Sequence, residues 1–270
     1  MPAPPRSFKS TLCRWPRLYR FAKRAKGYAA YRLGIPHDND FAFFANLAGG
    51  LFVDVGANAG QSARSLRIFN RELAILSFEP NRLLEPELRA TRRLLGAGYD
   101  YRLIGLGNRD EWLTLYVPFA GRTPLSPWAT LDRASLETNR RAIEREAGGA
   151  FTVGEVPVEV RRFDELGLRP LAVKIDVEGG ELAVLEGMRE TLARDEPILM
   201  LENNSSAEAA AALVASLGYR TFEYEVDAKV LRETDDLCGT INYFACTSAV
   251  LEWLRESDDL RIVLREPLAV

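Results

Sequence analysis

The 270-residue sequence predicts an α/β protein built on a doubly wound, mainly parallel sheet. Three observations carry that prediction. Short, near-continuous apolar runs recur, as strands covered on both faces require. Segments of helical period separate them, the rhythm of right-handed βαβ crossovers. Glycine and acidic residues stand where several of those runs end, which is the sheet edge where such folds hold ligands.

Composition sets the outer limits. Hydrophobic residues make up 47% and charged residues 27% of the chain, ordinary values for a globular domain with one substantial core. Cys13, Cys238 and Cys246 are scattered, and His37 is the sole histidine, so a His/Cys metal site has almost no material and none is expected. Residues 1–37 hold nine basic side chains and no acid, whereas the remainder carries 26 basic and 38 acidic groups, a net of −12. An acidic body repels nucleic acid, which is excluded as a partner. No run approaches the ~20 apolar residues of a membrane span, and no apolar stretch of the signal-peptide kind follows the basic start. The expected location is the cytoplasm.

Taken in order, residues 1–40 read as a basic extension. Within it, from Leu12 to Leu33, Leu12, Trp15, Leu18, Tyr19 and Ala22 recur at helical spacing between Arg and Lys. That is an amphipathic basic helix, suited to packing on the domain or to peripheral membrane contact. The α/β domain is expected over 41–250. Its strands are Leu51–Val55, Leu73–Phe78, Tyr101–Ile104, Leu171–Asp176 and Pro197–Glu202; helices Gln61–Phe69, Leu83–Leu95, Glu181–Leu192 and Ala207–Leu217 alternate with them. Trp112–Val117 reads as a strand able to pair with the one before it. An insertion over about 118–150 contains a charged helical stretch (Ala134–Ala147), and Val156, Val158 and Val160 alternate like a half-exposed strand. Tyr219–Val226 and Thr240–Cys246 are expected to pair antiparallel at the sheet edge, and 251–270 to form a C-terminal tail.

Three motifs carry chemistry. Val53-Asp54-Val55-Gly56-Ala57-Asn58-Ala59-Gly60 joins the first strand to the first helix. Gly56 permits a tight turn, Gly60 lets the helix start close to the strand, and Asp54 can meet an ammonium group. Asn58 occupies the middle glycine place of a dinucleotide fingerprint, which argues against a dinucleotide-dependent oxidoreductase. Phe78-Glu79-Pro80 closes the second strand, where two carboxylate oxygens can accept both ribose hydroxyls of a nucleoside. In Val173 to Glu181, extended backbone would put Lys174, Asp176 and Glu178 on one face at the carboxyl end of a strand. Lysine is scarce here, five against thirty arginines, so Lys174 inside an apolar strand stands out.

At these places the sequence resembles the FkbM family of methyltransferases. The family pattern V-D-V-G-A-N-x-G, F-E-P, K-I-D-V-E-G-x-E-x-x-V-L-x-G and P-x-x-x-x-E is matched by Val53–Gly60, Phe78–Pro80, Lys174–Gly187 and Pro197–Glu202, in order. The resemblance implies a class I, Rossmann-like, mainly parallel seven-stranded sheet with an antiparallel edge strand. It implies S-adenosyl-L-methionine as cofactor and a hydroxyl acceptor, a small molecule or glycan. Asp54, Gly56, Asn58 and Gly60 would then line the methionine side, and Glu79 would hold the ribose. Asp176, Glu178 and Glu202 would face the reacting centre. Asn108, where relatives often carry Asp, is the candidate adenine contact. Within this set Asp176 is the expected base, with Glu178 orienting the acceptor and Lys174 balancing charge. A non-catalytic nucleoside-binding module is the competing class; the intact acidic cluster argues against it.

Overall fold

The computed structural model describes residues 16–237, 239–256 and 260–265. Strands β1 (Leu51–Val55), β2 (Ala74–Phe78) and β3 (Tyr99–Arg102) alternate with helices α2 (Gln61–Phe69) and α3 (Glu85–Leu95), preceded by α1 (Pro16–Arg32). A second group follows: β4 (Gly105–Leu106), β5 (Glu111–Ala120), β6 (Thr123–Pro124), α4 (Arg133–Thr138), α5 (Arg140–Ala147) and β7 (Thr152–Arg161). The α/β rhythm resumes with β8 (Ala172–Ile175), α6 (Glu181–Glu186), α7 (Arg189–Asp195), β9 (Ile198–Glu202) and α8 (Ala207–Ser216). The last elements are β10 (Tyr219–Glu225), β11 (Val230–Glu233), β12 (Asn242–Thr247), α9 (Ser248–Arg255) and β13 (Arg261–Val263).

The main sheet runs β13-β11-β10-β12-β9-β8-β1-β2-β3. Strands β3, β2, β1, β8 and β9 are parallel, and β12 pairs antiparallel with both β9 and β10. The chain runs outward from β1 to β3 and then returns to place β8 on the other side of β1, so the β1/β8 boundary is the topological switch point at which doubly wound sheets open a crevice. The seven strands from β3 to β10 match the expected number, but the antiparallel strand is not at the edge. It lies one place inside that set, and β11 and β13 extend the sheet to nine strands beyond it. Residues beyond 250 are therefore not a tail up to the last described position. Leu251 and Leu254 of α9 are buried in the core, and β13 pairs with β11.

Burial follows from the periodicity. The central strands β8 and β9 are buried along almost their whole length, as expected where helices cover both faces. On one side Phe43, Phe44, Phe52 and Phe244 meet edge to face or tilted, the arrangement ring quadrupoles favour. Asn242 ties this N-terminal aromatic turn to β12, donating to Asp38 and Asp40 at 2.8 Å each.

Three local expectations change. Trp112–Val117 does not pair with the preceding strand: β5 lies antiparallel to β7, forming with β4 and β6 a separate four-stranded sheet. The charged stretch 134–147 is two helices meeting at Asn139, and Leu125, Leu136 and Ile143 give it a small core of its own. Glu181–Leu192 also splits, at Gly187. A Cβ on Gly187 would stand 2.0 Å from the carbonyl oxygen of Gly107, so this glycine is where the second sheet closes on the first domain layer. The part of the expected basic helix before Pro16, with Cys13 and Cys238, lies outside the described residues.

Candidate active site

Strand register assembles the site. Phe78 pairs with Val55, Val55 with Ile175, and Ile175 with Leu201. The residues one step further, Glu79, Gly56, Asp176 and Glu202, therefore line up along the carboxyl edge of four adjacent strands. One step back, Ser77, Asp54 and Lys174 form a second row on β2, β1 and β8. Motifs separated by more than a hundred residues become neighbours through hydrogen-bond register alone.

The inner row is a buried cluster of paired charges. Asp54 is fully buried and accepts from Ser77 Oγ at 2.7 Å. Lys174 Nζ stands 3.7 Å from Asp54, donates to Asp176 at 2.9 Å and reaches the Gly56 carbonyl at 3.4 Å. Burial alone would depress the ammonium, but the Asp54 and Asp176 carboxylates outweigh it and hold Lys174 above its ordinary value. Burial raises Asp54, and Lys174 opposes the rise. The ammonium partner of Asp54 is thus the chain's own lysine, while its Oδ1 has no hydrogen-bond partner.

Both loops over this row use left-handed backbone. Gly56 has φ +83° and hydrogen-bonds Phe78 O at 3.0 Å, as does Ala57 N. Asn58 (φ 48°) and Glu178 (φ 58°) are non-glycine residues in that region, a conformation that concentrates at working sites. Glu178 is exposed and lies past the end of β8. The extended geometry expected from sequence therefore does not continue from Lys174 and Asp176 to Glu178, where the backbone bends. Gly60, at φ +75°, packs so close to Thr91 that a Cβ would meet its Oγ1 at 2.8 Å.

Glu79 is nearly buried, and each of its oxygens accepts one backbone N–H, from Asn58 at 2.7 Å and from Asn81 at 2.8 Å. A carboxylate offers about four acceptor sites, so capacity for two further hydroxyl donors remains. Burial pushes Glu79 up to about 7, against the two N–H bonds. The sign for stability follows. The folded state holds this proton more tightly than the unfolded chain does. The contribution is complete below pH 4.5 and is lost as pH rises through about 7. Relative to Glu79→Gln, wild type is expected to lose up to roughly 3 kcal/mol across that window. Urea unfolding of both proteins at several pH values checks it; parallel curves would contradict it.

Glu202 ends β9 and accepts from Asn204 at 3.2 Å. Burial, then the charges of Asp176, Glu178 and Glu181, push it up to about 7. Asn108 is exposed and donates to Glu186 at 2.8 Å. Two residues not singled out from sequence shape the site. Glu181 accepts from the N–H groups of Val177 and Gly179 and from Ser206 Oγ at 2.6 Å, clamping the Glu178 turn. An acid opening a helix after Gly179-Gly180 was its available signal. Asn203, next to Glu202, donates to Leu237 O and Thr240 O and ties those two residues to the end of β9; nothing local marks it.

The order of the seven strands, the glycine loop after β1 and the acid after β2 define a class I methyltransferase fold. The family model for the methyltransferase FkbM domain matches residues 54–224, and the chain belongs to that family, whose cofactor is S-adenosyl-L-methionine. Among solved structures it is similar to the methyltransferase FkbM from Methylobacillus flagellatus KT, with 17% identity and a TM-score of 0.46 over 73% of this chain and 43% of that one. It is also similar to a precorrin-6y C5,15-methyltransferase from Geobacter metallireducens, with 11% identity and a TM-score of 0.41 over 78% of this chain and 86% of that one. A SAM-dependent O-methyltransferase from Thermotoga maritima shares 13% identity with a TM-score of 0.34, over 77% of this chain and 64% of that one. The chain thus spans less than half the length of the Methylobacillus protein. No curated protein matches it.

The residues present fit the family cofactor. Asn58 Oδ1, on the glycine loop, is a buried acceptor with no hydrogen-bond partner and could accept from an ammonium-bearing tail, while Asp54 Oδ1 below it faces Lys174 Nζ at 3.7 Å. Glu79 retains acceptor capacity on the adjacent strand. Among the described residues no group of three or more His, Cys, Asp or Glu is arranged to hold a metal ion.

Proposed function

We propose that this chain methylates a hydroxyl oxygen of a small molecule or glycan. The observation that carries the reading is the edge row Glu79–Gly56–Asp176–Glu202, which sets a nucleoside-accepting carboxylate two to three strands from a pair of acids. When bound, S-adenosyl-L-methionine supplies an electrophilic methyl group on a sulfonium. Glu79 holds the ribose; Gly56, Asn58 and Gly60 hold the amino-acid tail, with Asp54 below them. Asn108, engaged with Glu186, is left out of this set.

A hydroxyl is a weak nucleophile until its proton is taken, and the best acceptor titrates near the working pH. Glu202, at about 7, meets that requirement. Asp176, the residue expected from sequence, has one oxygen occupied by the Lys174 ammonium. We therefore place proton acceptance at Glu202. Asp176 orients the hydroxyl and, by its charge, helps keep Glu202 basic. Incubating the protein with methyl-labelled cofactor and a cell extract tests the reaction. Label is expected in an ether that survives alkali; label released as methanol, or found on nitrogen or carbon, would rule out hydroxyl transfer.

A further inference from the structure

We propose that α1 is a docking helix for anionic lipid surfaces. The helix does touch the domain. Arg24 reaches Glu87 at 3.4 Å, and Gly27 lies so close to Arg64 that a Cβ would be 3.2 Å from its Nη2. Those contacts leave its apolar side chains unused. Leu18, Phe21 and Tyr28 are 51%, 68% and 53% exposed, and their spacing of three and seven residues puts them on one face. Leu33 and Ile35, just past the helix, are 73% and 57% exposed. A cavity of about 730 Å³ separates this side of α1 from Ile68 and Leu94 of the domain. A helix kept only for packing would bury such a face against its neighbours.

Charge selects the partner. Residues 1–37 carry nine basic groups and no acid, while the rest of the chain has a net charge of −12. An anionic bilayer attracts the first part and repels the second, so only the α1 side can face it. Lys26 and Arg32 are exposed on the helix, where they can meet phosphate headgroups while the apolar face enters the interface. Nucleic acid would use the charge but not the apolar stripe. Among the described residues no helix is long and apolar enough to cross a membrane, which makes this surface attachment.

The test is co-sedimentation of the full chain with phosphatidylcholine vesicles, with or without phosphatidylglycerol, at low and high salt. Binding is expected only with phosphatidylglycerol, and it should weaken as salt rises. Lys26→Glu with Arg32→Glu should reduce partitioning about thirtyfold or more. Leu18→Ser, Phe21→Ser and Tyr28→Ser together should reduce it at least about tenfold. Circular dichroism and cofactor binding confirm that each variant is folded. Absence of wild-type binding, equal binding to neutral vesicles, or unchanged binding by both folded variants would overturn the proposal. The wild-type lipid and salt comparison decides the matter even if a variant fails to fold.

Discussion

Glu202→Gln is expected to lower kcat by about 10²–10⁴-fold, the usual contribution of a positioned base, while cofactor affinity stays close to wild type. Glutamine keeps the shape at the end of β9 and its contact with Asn204, but it cannot take a proton. Asp176→Asn separates the two acids. It removes a charge that helps push Glu202 up to about 7 and replaces the carboxylate that Lys174 meets at 2.9 Å by a neutral amide. Turnover should fall less steeply than in Glu202→Gln, and the acid limb of the kcat profile should move to lower pH. Normal turnover in Glu202→Gln, together with loss of turnover in Asp176→Asn, would return the proton acceptor to Asp176, as the motif alone suggests.

Gly56→Ala is expected to cost roughly 3 kcal/mol and to abolish cofactor binding. Two penalties combine at this position. A left-handed residue with a Cβ is disfavoured by roughly 1–2 kcal/mol, and φ here is +83°. The added Cβ would stand 1.7 Å from the carbonyl oxygen of Asp176, so the β1 and β8 loops must separate; overpacking of this kind costs about 1–3 kcal/mol. Because the atom met is backbone, no rotamer change relieves it. Denaturant unfolding reads the stability, and calorimetry reads the binding. A variant with wild-type stability would mean the two loops are not held together as described.

The parallel core of the fold was legible because burial on both faces writes itself as continuous apolar runs. Gln61–Phe69 forms with the boundaries its spacing implies, and β1 does too. What escaped was set by contacts distant in sequence. The break at Gly187 depends on Gly107, and β5 chooses β7 over its predecessor because nine residue pairs align there. β11 and β13 are short strands at one end of the sheet with weak periodicity. At the site, the motif acids were visible as residue types, but their order along the edge comes from register, which no single motif contains. The shift of emphasis from Asp176 to Glu202 has the same origin. Lys174 lies two residues from Asp176 in sequence, yet its bond to one carboxylate and the burial of the other are three-dimensional facts.

The central claim is that the edge row holds a nucleoside cofactor through Glu79. Titration calorimetry of wild type and Glu79→Ala with S-adenosyl-L-methionine measures it directly. Wild type should bind. Glu79→Ala, folded by circular dichroism, should bind about tenfold to a hundredfold more weakly, the equivalent of one lost charge-assisted hydrogen bond. Asp54→Ala should weaken binding similarly by unseating Lys174 beneath the loop. No binding by wild type, or the same affinity in Glu79→Ala, would contradict the assignment of this crevice.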